Sequence, residues 1–189
     1  MIFIFIPTIE TKRLILRKAK LSDLEDIYIN VWSDSRLNKY MIWELCKSKD
    51  DALERLKRTI EFHKNNYAYF ICEKESDHVI GFAGIMETKE SGVYSEIGIC
   101  IANDYQNKGY GTEVLNALKK LVFEILNGNK FIYSSFEENE SSKALAIKSG
   151  FIYFNQEKIC RKYDKKEFVK YDYYIDKEMY TKENLNELR

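Results

Sequence analysis

The chain is poor in residues that break or staple a fold. Of its 189 residues, one is proline (Pro7), eight are glycine and two are histidine, His63 and His78. No Pro/Ser-rich hinge, low-complexity tract or internal repeat interrupts it. One continuous domain is therefore expected over 1–189, with a core of about 8–180. The four cysteines, Cys46, Cys72, Cys100 and Cys160, stand far apart and form no CxxC pair. With so few histidines no zinc-type spacing exists, so no metal is expected. Buried free thiols in a reducing cytoplasm are the expected state. No apolar run reaches the roughly 20 residues that a membrane span needs, so no membrane partner is expected. The opening "MIFIFIPTIE" is apolar but short, and it lacks the basic lead and cleavage site of a signal peptide. Neither charge is in excess: 30 Lys and Arg balance 30 Asp and Glu. A nucleic-acid binder usually carries a basic surplus, and that class is set aside.

What is present is a regular alternation of strand and helix patterns. Hydrophobic residues make up 45% of the chain, enough for a core. "KRLILRKA" alternates as a strand. Ser22 or Asp23 can cap a helix running through Asp26, Tyr28 and Val31. "SKDDALERLKRTIEFHK" reads as a second helix with Leu53, Leu56, Ile60 and His63 on one stripe and its acidic residues leading. "YAYFICEK" and "VIGFAGIME" form a hairpin around "ESDH". In "VYSEIGICIA", Ile97, Ile99 and Ile101 point one way, and Tyr94, Glu96, Gly98 and Cys100 the other.

From Val114 to Leu126 the apolar spacing is that of a helix, with Gly128 as its stop. "KFIYSSF" is a strand, "NESSKALAIKSGF" a short helix ended by Gly150, and "FIYFNQEKI" and "EFVKYDYYIDKEM" are two late strands. The order β-α-α-β-β-β-α-β-α-β-β defines a mixed α/β or α+β domain.

The chemistry concentrates in "ANDYQNKGYGTEVLNALKKL". Gly109 and Gly111 flank the start of a helix, with Lys108 beside them. A glycine lets main-chain amides approach a ligand closely. The first amides of a helix lack intrahelical partners, and its dipole favours an anion there. The stretch thus suits a phosphate or pyrophosphate. A dinucleotide fingerprint would need a third glycine where Val114 stands, and a P-loop would need Gly-Lys-Ser/Thr. Alone, Gly-x-Gly reads as a tight turn.

In its wider context the stretch resembles the acetyl-coenzyme A signature of the GCN5-related N-acetyltransferase (GNAT) superfamily. The family's Gln/Arg-x-x-Gly-x-Gly/Ala pattern is met by Gln106, Gly109 and Gly111. A second block, Asn-x-x-Ser followed by Lys-x-Gly-Phe, is met by Asn139, Ser142, Lys148, Gly150 and Phe151. The opening "IETKRLILRKAKLSDLEDIY" is similar to the first strand and helix of the RimJ/RimL branch, the ribosomal-protein N-terminal acetyltransferases and their relatives. The resemblance spans roughly 8–180, with the motifs in order.

The resemblance implies a GNAT fold: a central, mostly antiparallel sheet of six to seven strands, about four helices, and parallel strands at 93–101 and 130–136 that splay apart. It implies acetyl-CoA as co-substrate, its pantetheine arm on Ile99, Cys100 and Ile101 and its pyrophosphate on the amides of Gln106, Asn107, Lys108, Gly109, Tyr110, Gly111 and Thr112. Gly98 suits a bulge or close backbone approach. Glu96 matches a glutamate that serves as base in this branch; a solvated carboxylate or ion pair is its plainer reading. Ser142 matches a serine that helps the thiolate leave, and first-turn serines also decorate helices. Asn139 is a pantetheine contact or a cap. Lys143 and Lys108 are phosphate partners or solvated lysines. The family's usual tyrosine acid is replaced by Ala146. Trp32, Tyr40, Met41 and Trp43 lie in or near a segment that walls the acceptor pocket in relatives. The implied reaction transfers acetyl to a primary amine, either a small molecule or a protein N-terminus, in a monomer or homodimer. The alternative on the same fold is a non-catalytic acyl-CoA-binding module.

Overall fold

A computed structural model describes residues 6–187. Met1–Phe5, half of the apolar opening segment, lie outside the described residues. Among the described residues there are eight strands: β1 (Thr8–Glu10), β2 (Leu14–Arg17), β3 (Tyr67–Glu73), β4 (Val79–Glu87), β5 (Val93–Ile101), β6 (Lys130–Phe136), β7 (Ile152–Cys160) and β8 (Glu167–Asp176). The α-helices are α1 (Leu24–Ile27), α2 (Ser35–Asn38), α3 (Lys49–Lys64), α4 (Tyr110–Lys120), α5 (Glu140–Lys148) and α6 (Lys177–Glu187). The strands hydrogen-bond in the order β1-β2-β3-β4-β5-β6-β8-β7.

This is the mixed, mostly antiparallel architecture expected, with eight strands where six to seven were expected and six helices where about four were. The extra strand is β1, three residues long and paired with β2 through Ile9 and Leu16. Three residues are too few to show an alternation. The first helix is broken because both the amide and the hydroxyl of Ser33 donate to the Tyr28 carbonyl, at 3.0 and 2.7 Å. That wide turn ends the first piece. Asp34 then caps α2 by accepting from the Arg36 amide at 2.9 Å. α6 begins where Asp176 accepts from the Met179 amide at 2.9 Å, cutting the last strand short.

The chain divides into two compact units. The first comprises the segment up to Ile85 and Ile97–Ala117. Here β1 to β4 form an antiparallel meander. α3 starts with a capping box, Ser48 and Asp51 each accepting the other's amide at 3.1 Å. Its buried stripe is Ala52, Leu56 and His63; Leu53 and Ile60 are only half-buried. His63 Nδ1 accepts from the Ala19 amide at 3.0 Å, and the ring meets Phe70 edge-on. Burial, helped by nearby Lys18, holds the imidazole neutral, with its pKa lowered to about 4. Asp23, read as a cap, makes no side-chain cap bond to α1; it accepts from the Lys20 amide at 2.7 Å and forms a buried pair with Arg17 at 2.8 Å.

The second unit comprises Met86–Glu96 and the segment from Leu118 onward. Val93–Ser95 of β5 pair in parallel with Lys130–Ile132 of β6, and β6, β8 and β7 continue antiparallel. In β6, Phe131, Tyr133 and Ser135 are buried and their neighbours are not. β7 is exposed along nearly its whole length despite its apolar start. After α4 the left-handed residue is Asn127, at φ +53°, rather than Gly128. Gly128 is needed for space: a Cβ there would lie 2.8 Å from Val122. Gly150, at φ +81°, stops α5 as expected.

Candidate active site

The glycine loop belongs to the first unit. β5 leads through a short turn, Asn103–Tyr105, to Gln106 and then to α4. The turn is made by two left-handed residues, Asn107 at φ +60° and Gly109 at φ +81°. A Cβ on Gly109 would have Arg13 Nη2 as neighbour at 3.4 Å, so the demand for glycine is conformational rather than steric. Tyr110, Gly111 and Thr112 form the first turn of α4, where amides lack intrahelical acceptors. Gln106 folds back, its Nε2 donating to the Ile101 carbonyl at 2.9 Å. The Lys108 ammonium sits over the Tyr105 ring.

A carboxylate in that first turn would repel an anion, and Glu113 is there. Its charge is taken up by Thr11 Oγ1 at 2.6 Å, the Arg13 amide at 2.7 Å and Arg13 Nε at 2.8 Å. Burial raises its pKa, but these bonds outweigh burial and leave it lowered. Arg13 also donates to the Lys108 carbonyl at 2.8 Å and stacks on Tyr110. The Tyr110 hydroxyl donates to Glu73. Left-handed turns, a helix start, a neutralised carboxylate and a neighbouring ammonium fit the pyrophosphate of acetyl-CoA.

β5 sorts its main-chain groups by direction. A Cβ on Gly81 would lie 2.0 Å from the Cys100 carbonyl oxygen. The Ala102 amide donates to the Ile80 carbonyl at 2.8 Å. Residues 100 and 102 therefore face β4, and the alternation turns the main-chain groups of Ile99 and Ile101 away from it. Cys100, grouped with them from the sequence, points the other way. Its thiol lies in the core, where burial pushes it up to about 12. Gly98 adopts φ +127°, a conformation that favours glycine, over the Phe82 ring.

The acid–base candidates belong to the second unit. Glu96 is half-buried on β5. The hydroxyls of Tyr133 and Ser142 share a hydrogen bond of 2.7 Å. Burial pushes the Tyr133 phenol well above its ordinary range; the Ser142 bond opposes this, and the Glu96 charge adds to it. Tyr133 was not singled out from the sequence. Asn139 caps α5, its Oδ1 accepting from the Ser142 amide at 3.1 Å. Lys143 pairs with Glu140 at 2.7 Å, one turn away. Ala146, where relatives carry a tyrosine, is fully buried.

In the first unit, Met41, Trp43 and Cys46 pack against the core. The Arg55 guanidinium lies between Trp32 and Trp43, 4.7 Å from each ring. It borders an open cavity of about 680 Å³ that Lys47, Arg58 and Phe62 also line. Among the described residues no group of three His, Cys, Asp or Glu is placed to hold a metal. No helix among them is long and apolar enough to cross a membrane.

The profile of the acetyltransferase (GNAT) domain matches residues 13–152. The chain is 28% identical over 162 residues to p20 of Bacillus licheniformis, described as an uncharacterized N-acetyltransferase, covering 84% of this chain and 88% of that one. It is 27% identical over 140 residues to the spermidine N(1)-acetyltransferase of Vibrio cholerae, covering 74% and 79%. The fold is similar to that of a GNAT-family acetyltransferase from Bacillus anthracis, with a TM-score of 0.78 and 22% identity over 90% of this chain and 99% of that one. A domain match running from the Arg13 clamp past α5 decides the assignment: the chain belongs to the GNAT acetyltransferases, acyltransferases that depend on acetyl-CoA.

Proposed function

We propose that the protein transfers the acetyl group of acetyl-CoA to a primary amine by direct attack, with Glu96 as general base. The pyrophosphate rests on the amides of 106–112, and the pantetheine arm on the main chain of Ile99 and Ile101. Most free amines are protonated at neutral pH. Glu96, directly or through water, accepts the proton that frees the nitrogen lone pair. The nitrogen attacks the thioester carbonyl, the C–N bond forms and the C–S bond breaks. As the intermediate collapses, the nitrogen gives its second proton to water, and the departing thiolate takes one from the Ser142 hydroxyl, which Tyr133 holds and which water reprotonates. Burial keeps the Tyr133 phenol protonated, so it remains a donor.

The observation that carries this reading is the Tyr133–Ser142 hydroxyl pair within the electrostatic reach of Glu96. A binding module has no use for a base beside a proton donor. The opening segment supports a place near the RimJ/RimL branch. The four unpaired cysteines fit a reducing cytoplasm, though only Cys72 and Cys100 are buried as expected; Cys46 is half-buried and Cys160 exposed. β4, β5 and α4 each run unbroken from one unit into the other, which supports reading both as one acetyltransferase domain.

The test is a screen of amines for release of the CoA thiol. Its arms are polyamines, amino acids, aminoglycosides and peptides with free N-termini. Amine-dependent thiol release in one arm supports the reading and names the acceptor. Tight acetyl-CoA binding with no release in any arm supports the non-catalytic module instead.

A further inference from the structure

Arg13 lies in the turn between β1 and β2, nearly a hundred residues from the glycine loop, yet most of its bonds go there. Its amide and Nε hold the two oxygens of Glu113, at 2.7 and 2.8 Å. Its Nη1 donates to the Lys108 carbonyl at 2.8 Å. Its guanidinium plane covers the Tyr110 ring at 4.4 Å. One side chain thus fixes the residue before Gly109, the residue after it, and the carboxylate in the first turn of α4. At 40% exposure, the Arg13 side chain is too wet for the ion pair to matter much to stability. Its effect is local: it holds the loop at Lys108 and offsets a negative charge beside the first amides of α4.

We propose that Arg13 is a positioning residue for the pyrophosphate of acetyl-CoA, acting through Lys108, Tyr110 and Glu113. This rests on the functional reading above. Without the Arg13 side chain, the Glu113 carboxylate keeps only neutral donors, the main-chain amide of residue 13 and the Thr11 hydroxyl, and its charge opposes the diphosphate. The Lys108 carbonyl loses its donor, and the loop amides lose their fixed direction. Lysine at this position keeps the charge but cannot bridge a carboxylate and a carbonyl from one rigid plane.

Calorimetry on the full-length chain tests this with acetyl-CoA and with acetyl-pantetheine, which carries the same thioester arm without the pyrophosphate. Arg13→Ala weakens acetyl-CoA about 10-fold, equivalent to about 1.4 kcal/mol, and leaves acetyl-pantetheine unchanged. Adding Glu113→Gln to Arg13→Ala recovers most of the loss, because the opposing charge is gone. Arg13→Lys falls between the wild type and Arg13→Ala, and carries the same comparison of ligands if the alanine variant fails to fold. Equal losses for both ligands would mean general loosening and overturn the proposal. So would unchanged acetyl-CoA affinity in Arg13→Ala, or a loss that Glu113→Gln does not relieve. A wild-type protein that binds acetyl-pantetheine but gains nothing from the pyrophosphate overturns it too. A wild-type protein that binds neither ligand overturns the functional reading itself.

Discussion

Gly81→Ala is the sharpest structural perturbation of the strand proposed to carry the pantetheine arm. A Cβ at this position would stand 2.0 Å from the Cys100 carbonyl oxygen, 3.1 Å from its carbonyl carbon and 3.3 Å from Ile101 Cα. Ordinary contact begins near 3.4 Å, so β4 and β5 must part by more than 1 Å. No rotamer relieves this, because all three neighbours are backbone. Overpacking typically costs 1–3 kcal/mol, and a backbone clash belongs at the upper end, about 3 kcal/mol. In a domain of this size that lowers Tm by roughly 6–12 °C. The shift also moves Ile99 and Ile101, so acetyl-CoA affinity falls. Gly84→Ala is the comparison: its new Cβ meets the Ile97 side chain and the Tyr67 carbonyl oxygen at 3.0 Å, and the side chain can yield. Its expected cost is about 1 kcal/mol. Thermal melts followed by circular dichroism, with acetyl-CoA calorimetry on both variants, decide. Gly81→Ala melting within about 2 °C of wild type, with unchanged affinity, would refute the close approach of β4 and β5 and the direction assigned to Ile99 and Ile101.

Three further outcomes follow from particular contacts. His63 has a folded pKa of about 4 against an ordinary 6.5, so the unfolded chain binds more protons between these values. Its contribution, about 3 kcal/mol from that shift, is complete above pH 6.5 and is lost as pH falls toward 4. His63→Asn, which keeps an acceptor for Ala19, should flatten the stability curve across that window; an unaltered curve in urea titrations would contradict the assignment. Ser142→Ala leaves the buried Tyr133 hydroxyl without its partner, costing about 1–2 kcal/mol, and should slow single-turnover acetyl transfer at unchanged acetyl-CoA affinity. Stability loss with an unaltered single-turnover rate would confine Ser142 to a structural role. Asn139→Ala removes the α5 cap and should cost about 1 kcal/mol, read as a fall of a few degrees in the melting temperature; no shift would show the cap to be idle.

The parts of this fold that were legible in the sequence are those whose pattern is local. α4 begins at Tyr110, and Val114, Leu115 and Leu118 are fully covered, as are Leu121 and Val122 in the wide turn that continues it, whereas Ile125 on the same pattern is exposed. Gly150 and the Gly109 turn were legible because only a few residue types adopt a left-handed backbone. What stayed hidden depends on partners distant in the chain. Arg13 reads as an ordinary basic residue ahead of a strand; its role appears only once Glu113 is beside it. The strand alternation marks Tyr133 as inward-facing, but not that its hydroxyl meets Ser142. Cys100 was grouped with Ile99 and Ile101 because sequence adjacency says nothing about which edge a main-chain group faces. Gly128 was read as a helix stop, whereas Asn127 makes the turn and glycine follows because Val122 and Tyr94 leave no room.

The central claim is that Glu96 takes a proton from an amine as it attacks acetyl-CoA. It is tested most directly by the pH dependence of amine-driven CoA release in wild type and Glu96→Gln. Glutamine keeps the size and loses the basicity. At neutral pH the variant should be slower by about 100-fold or more, the usual scale of a positioned base. The deficit should shrink as pH rises toward the amine pKa, where the acceptor is already neutral. A Glu96→Gln protein that releases CoA at the wild-type rate at neutral pH, or one whose deficit is the same at every pH, would contradict the account.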